Sequence, residues 1–135
     1  LAGTVASVCN ANNARHGDWV LATVDNGRLV LKQTGNGVAN LARAFGETET
    51  NFALLTMHVN LKGGIQGKQP RNIWFHWRGP GLSGMQKVKG NQKIQEALDV
   101  LSPNHGQIEV INRDRFTEEV ILEKWGEGTG SHVID

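Results

Sequence analysis

An α/β domain of the α+β type is what this sequence predicts: a mixed sheet of about five strands flanked by helices, in a single domain spanning residues 1–135. Three observations carry that prediction. Two aliphatic-rich runs on either side of Asn26-Gly27 have the strongest short-range signal for a hairpin, because that dipeptide accepts the left-handed backbone of a two-residue turn. Two further runs, Thr50 to Leu61 and Asn72 to Trp77, have the length and the aromatic and β-branched composition of strands. From Leu82 to Leu101 apolar residues fall at helical spacing, and a period-two run follows at Gln107 to Asn112. Two hairpins and a strand delivered by a helix assemble as a mixed sheet with helices packed on it. The length suffices for one core and is too short to divide comfortably between two.

Thr4 to Arg15 is rich in Ala, Val and Asn, so a short first helix capped by Thr4 and ended by Gly17 is expected. Asp18 to Asp25 and Arg28 to Lys32 form the first hairpin. Val38, Leu41, Ala42 and Phe45 then mark a short helix that Gly46 closes. Between the strands Thr50–Leu61 and Asn72–Trp77 lies a ten-residue segment, Lys62 to Arg71, with three glycines, a proline and three basic residues. It is expected to project as an exposed loop. The long helix has Ser83 near its start, Pro103 just past its end and Gly90 placed to loosen its middle. Its spacing turns Leu82, Met85 and Val88 in the main toward the core, with Met85 open to sharing with a partner. A last helix runs from Phe116 to Trp125 with Val120 and Ile121 inward, and glycines at 126, 128 and 130 release the tail.

Hydrophobic residues at 39% and charged residues at 20% describe a chain that folds. No apolar run approaches the roughly 18 residues of a membrane-spanning helix, and no basic region precedes an apolar stretch at the start, so a soluble intracellular protein without membrane contact is expected. The lone Cys9 has no internal disulfide partner and no adjacent basic residue to activate it. Net charge is only +1, but it is unevenly spread. Residues 51–95 hold seven basic side chains and no acid, whereas residues 96–135 hold nine acids against Arg113, Arg115 and Lys124. A basic middle whose charges share a face attracts an acidic partner.

Signs of catalysis are scarce. The five histidines are scattered, with no close helical pair of the kind zinc uses, so no metal is expected. There is no Gly-x-Ser-x-Gly elbow. Gly63-Gly64-Ile65-Gln66-Gly67-Lys68 lacks the spacing and the Ser or Thr of a phosphate loop, and it joins strands where such a loop opens a helix. Glu118, Glu119 and Glu123 read as a solvated helix face. Trp74, Phe75 and Trp77 alternate along a central strand, which commits at least one face of them to the core and argues against a stacking platform for nucleic acid.

The segment Trp77-Arg78-Gly79-Pro80-Gly81-Leu82-Ser83-Gly84-Met85-Gln86-Lys87-Val88-Lys89 resembles the strand-to-helix junction of the coactosin-like members of the ADF/cofilin superfamily. The pattern there is Trp, a Gly-containing turn, an aliphatic residue, Ser-Gly, Leu or Met, Gln, a basic residue, a small apolar residue and Lys. The flanking order also fits: the Trp19 hairpin, the Phe52-Ala53-Leu54 strand, the loop, the aromatic strand, the long helix, and Asp114-Arg115 before the last helix. The likeness runs from about Asp18 to Trp125. It implies an ADF-homology fold and a monomeric, cytoplasmic, cytoskeletal protein with no cofactor and no enzymatic activity, whose partner is filamentous actin and not nucleic acid. Coactosin-type side-binding without severing is the implied mode, with cofilin-type depolymerisation or monomer binding as the alternative. The implied contacts are Arg71 before the aromatic strand, Lys87 and Lys89 on the long helix, Lys62 and Lys68 in the projecting loop, and Lys124. The last of these stands where the family has consecutive lysines and this chain has Glu123-Lys124-Trp125-Gly126.

Overall fold

The computed structural model describes residues 14–60, 67–125 and 132–135. A hairpin of β1 (Asp18–Asp25) and β2 (Arg28–Asn36) opens it, turning at Asn26 with φ 50° and Gly27 with φ 73°. Helix α1 (Val38–Ala44) leads to β3 (Thr50–Asn60) and β4 (Lys68–Arg78), which pair antiparallel. Two helices, α2 (Gly84–Asn91) and α3 (Ile94–Val100), deliver β5 (Gln107–Val110) parallel to β4. A 3-10 turn (Arg113–Arg115), α4 (Glu118–Trp125) and β6 (Val133–Ile134) complete the chain. The six strands form one mixed sheet in the order β2-β1-β3-β4-β5-β6. The helix expected over Thr4 to Arg15 lies outside the described residues except for Ala14 and Arg15, which are not helical.

Both faces of the sheet are covered, which follows from strand pleating: alternate residues of each central strand feed different cores. Trp19, Leu21, Ala53, Leu55, Met57, Ile73, Phe75 and Trp77 meet α1 and α4 through Leu41, Phe45, Phe116 and Ile121. Val20, Phe52, Leu54 and Trp74 meet α3 through Ala97 and Leu101 on the opposite face. The aromatic strand thus has no solvent-facing ring: Trp74, Phe75 and Trp77 are all buried. The second hairpin strand continues to Asn36 because Gly35 lies opposite Trp19, where a Cβ would stand 2.5 Å from the indole ring.

Three expectations are corrected. Strand β4 begins at Lys68 and not at Asn72, so Lys68 to Arg71 are strand and not loop. Pairing with the long β3 extends the ribbon, and Pro70 is tolerated because β5 joins β4 only from Trp74, leaving this stretch an edge. The long helix is two helices broken at Gln92 and Lys93, where the Lys93 amide donates to Gly90 O at 3.0 Å in a tightened turn. Gly90 presses α2 onto β3, since a Cβ there would stand 2.4 Å from Thr50 Oγ1. The expected mixed sheet of about five strands is present, with a sixth strand, β6, whose two residues are too short to give a periodic signal. Strand β5 stops at Val110 and α4 starts at Glu118, because Phe116 leaves the helical path to fill the space between Phe45 and Phe75.

Helix α2 begins with a reciprocal cap. The Gln86 amide donates to Ser83 Oγ at 3.2 Å, and the Ser83 amide donates to Gln86 Oε1 at 2.8 Å. Gly90 is the only buried residue of this helix, so the cap carries much of its local stability. Ser83→Ala is expected to cost about 1 kcal/mol and to raise amide exchange selectively across 84–91, measured by hydrogen–deuterium exchange; unchanged exchange there would refute a cap-dependent helix.

His76 is 5% exposed, stacks on Phe52 at 4.7 Å, and leaves Nε2 without a hydrogen-bond partner among the described residues. Burial, aided by the nearby Arg78 charge, lowers its pKa from 6.5 to about 4. The unfolded chain therefore takes up this proton before the folded one, and stability falls as pH drops from about 6.5 to about 4. His76→Phe is expected to remove a slope worth about 3 kcal/mol across that window, read from urea unfolding at pH 7 and pH 4.5.

Candidate partner-binding surface

Helix α2 is an exposed ridge. Met85 is 69% exposed and Val88 56%, which corrects the expectation that both face the core. Leu82 is buried but precedes the Ser83 cap, so it does not begin a helical stripe. The glycine that seats the helix fixes its rotation, and at 100° per residue Met85 and Val88 lie about 140° and 160° around the axis from Gly90. Lys87 and Lys89 stand exposed beside them, and α2 contains no acid. An open groove of about 400 Å³ runs between α2 and the β1–β2 hairpin, walled by Gln86 and Lys89 on one side and Val24, Asp25 and Val30 on the other.

A second basic region forms at the far end of β4. The Asn72 amide donates to His105 Nδ1 at 2.9 Å, the His105 amide donates back to Asn72 O at 2.7 Å, and Trp125 Nε1 donates to His105 O at 3.0 Å. These bonds bring Arg71, which precedes Asn72, and Lys124, which precedes Trp125, to the same end of the sheet. Arg71 is half-buried and donates to Pro70 O at 2.8 Å; burial and the Arg71 charge lower the His105 pKa. Lys124 is also half-buried, on the flank of α4 and not on its outer face. Lys68 is exposed opposite Asn60, three residues from Arg71 and therefore on the other face of the ribbon. Lys62 lies outside the described residues.

The basic middle of the chain is thus divided between two ends of the domain. Arg71 and α2 are separated by the length of β4 from residue 71 to residue 78, about 20 Å of strand. Two other cations of that segment are spent internally: Arg78 pairs with Glu109 at 3.0 Å and Lys93 with Glu96 at 3.6 Å. Lys68, Lys87 and Lys89 form no ion pair among the described residues and remain presented to solvent. Of the apolar half of this surface, the sequence left Met85 open to a partner but gave no sign that Val88 is exposed as well.

Folding also gathers groups that look unrelated in the sequence. His16 and His58 meet edge to face at 5.9 Å, and His16 Nε2 contacts Glu118 Oε1. Among the described residues no three His, Cys, Asp or Glu side chains are arranged to hold a metal ion.

A search by sequence against curated proteins found no significant match. The fold is shared with solved structures at low identity. A Streptomyces griseoflavus cofilin superposes with a TM-score of 0.75 at 13% identity, covering 94% of this chain and 93% of that one. The coactosin of Entamoeba histolytica gives 0.74 at 21% identity, covering 93% and 90%. Mouse coactosin, described as an actin filament binding protein, gives 0.68 at 18% identity, covering 84% and 78%. The sequence model of one family matches residues 5–126, which is most of the chain and includes the capped ridge, the β3–β4 ribbon and α4. The chain belongs to the cofilin/tropomyosin-type actin-binding protein family, with the ADF-homology fold.

Proposed function

We propose that this protein binds the side of actin filaments in the coactosin manner, without severing them and without catalysis. The observation that carries the reading is the ridge α2, where Met85 and Val88 are exposed between Lys87 and Lys89 on a helix held to the body at one glycine. Exposed apolar side chains ringed by cations suit an acidic protein partner: burial of the apolar pair supplies affinity, and the lysines supply orientation and rate. The opposite end adds Lys68, Arg71 and Lys124, so that a partner with two successive sites, such as a filament, meets both ends; Lys62, outside the described residues, joins the proposed contacts on its charge alone. Mouse coactosin, of the same fold, is described as an actin filament binding protein. The likeness of Trp77 to Lys89 to the coactosin junction supports the side-binding mode. On this reading each molecule meets the filament as a monomer, in the cytoplasm and on the cytoskeleton.

A cofilin-type reading has one observation in its favour. The apolar pair on α2 is far more exposed than its spacing predicted, which gives that helix the means to grip an actin monomer. The two modes separate in a pyrene-actin disassembly assay at saturating protein. Co-sedimentation with filaments and no gain in depolymerisation is the expected result; clear acceleration establishes the cofilin-type mode.

Two further outcomes follow from the charges. Raising salt from 50 to 300 mM is expected to weaken co-sedimentation at least several-fold, since screening shortens from about 14 Å to about 6 Å; salt-insensitive binding would remove the basic surfaces from the account. Arg71→Glu is expected to weaken filament binding by about tenfold, or 1.4 kcal/mol, and Arg15→Glu by less than twofold. Thermal melts establish that both variants are folded. Equal losses would discard the assignment of Arg71.

A further inference from the structure

The outer face of α4 carries a second pattern that the proposed actin contacts do not use. Ile121 is buried and Val120, Lys124 and Trp125 are half-buried, which fixes the rotation of the helix. Glu119, Leu122 and Glu123 then point outward together, with Glu118 at their edge. Leu122 is 39% exposed among these carboxylates. Glu118 and Glu119 complement the positive N-terminus of the helix and Glu118 is engaged by His16, but neither reason applies to Glu123 or Leu122.

This face is the counterpart of α2 in both respects. One ridge presents aliphatic side chains with lysines and no acid; the other presents an aliphatic side chain with carboxylates, its one lysine turned to the flank. The two cannot meet within one molecule. Helix α4 packs on the sheet face that carries Phe75 and Ile108, whereas Gly90 of α2 lies on Thr50, which shares its face with Phe52 and Trp74.

We infer that α4 is a docking face for the α2 ridge of a second copy of this chain. The contact is head-to-tail: each copy offers a basic ridge on one side and an acidic face on the other, so the arrangement extends as an open chain instead of closing on a two-fold axis. Each helix has eight residues and is about 12 Å long, too little for a permanent dimer. Association is therefore weak, fast and salt-sensitive, and it occupies the same ridge as the proposed filament contact.

The test uses the full chain without actin, so its outcome is independent of the filament reading. Sedimentation velocity at low salt is expected to show the average mass rising with concentration above the 14.7 kDa of one chain without levelling at a dimer, and returning to the single-chain mass at 0.5 M salt. Lys87→Glu with Lys89→Glu, and separately Glu119→Lys with Glu123→Lys, are each expected to abolish the rise, because either variant carries like charges on both faces. An equimolar mixture of the two is expected to restore it, since opposite faces then match again; this recovery also excludes misfolding as the cause of the losses. A mass independent of concentration, persistence in either variant, or no recovery on mixing would each overturn the inference.

Discussion

The antiparallel ribbon of β3 and β4 is the constraint on which the rest of the molecule depends. Each strand is eleven residues long, and the pairing runs without interruption from Thr50 opposite Arg78 to Asn60 opposite Lys68. From Ile73 to Trp77 every β4 side chain is buried, as is every β3 side chain from Thr50 to Met57. A ribbon buried on both faces requires helices on both faces, at about 1.5–3 kcal/mol for each large apolar side chain removed from water. Most of its polar side chains also find partners, His76 Nε2 and Arg78 Nε excepted among the described residues. Thr56 Oγ1 donates to Asn72 Oδ1 at 2.7 Å, Asn72 Nδ2 donates to Pro103 O, and Asn51 Oδ1 accepts the Gly46 amide at 2.8 Å. These bonds tie the ribbon to the connections at its two ends, as does Trp77 Nε1 donating to Gly46 O at 2.7 Å.

The exposed surfaces are consequences of how helices attach to that ribbon. Helix α3 is anchored by Ala97 and Leu101 in the second core, and Trp74 Nε1 donates to Ala97 O. Helix α2, one turn earlier, has no such anchor and rests on Thr50 through Gly90. The break at Gln92 and Lys93 separates an anchored helix from a presented one, and that division is what leaves Met85 and Val88 in water. An exposed pair of this kind contributes little to the stability of the isolated domain. Burial deferred until a partner arrives contributes to association and not to folding.

Charge follows the same logic of position. The acid-free run from 51 to 95 is contiguous in sequence, yet β4 carries its cations from one end of the sheet to the other, and Arg78 and Lys93 are neutralised by Glu109 and Glu96. What remains is a basic ridge at one end and a basic strand start at the other. The acids of the C-terminal third are divided as well, some into ion pairs and some onto the outer face of α4.

The sequence by itself determined the parts whose physics is local. Asn26-Gly27 sets a hairpin through its left-handed backbone, and Ser83 with Gln86 sets a helix start through reciprocal hydrogen bonds. The aromatic run Trp74 to Trp77 reads as a strand with at least one face in the core, and the helices on both sides of the sheet bury the other. The coactosin-like junction, read from thirteen consecutive residues, led to the correct fold family. The tertiary structure alone decided the features that rest on distant contacts: the extension of β4 back to Lys68 along β3, the two-residue β6 beside β5, and the seating of Gly90 on Thr50 just before the break that the sequence marked only as a loosened middle. Above all it decided which way α2 faces. Apolar spacing reports that a helix has a greasy side, but the residue that touches the body fixes whether that side turns in or out, and here that residue is a glycine with no hydrophobicity to reveal it.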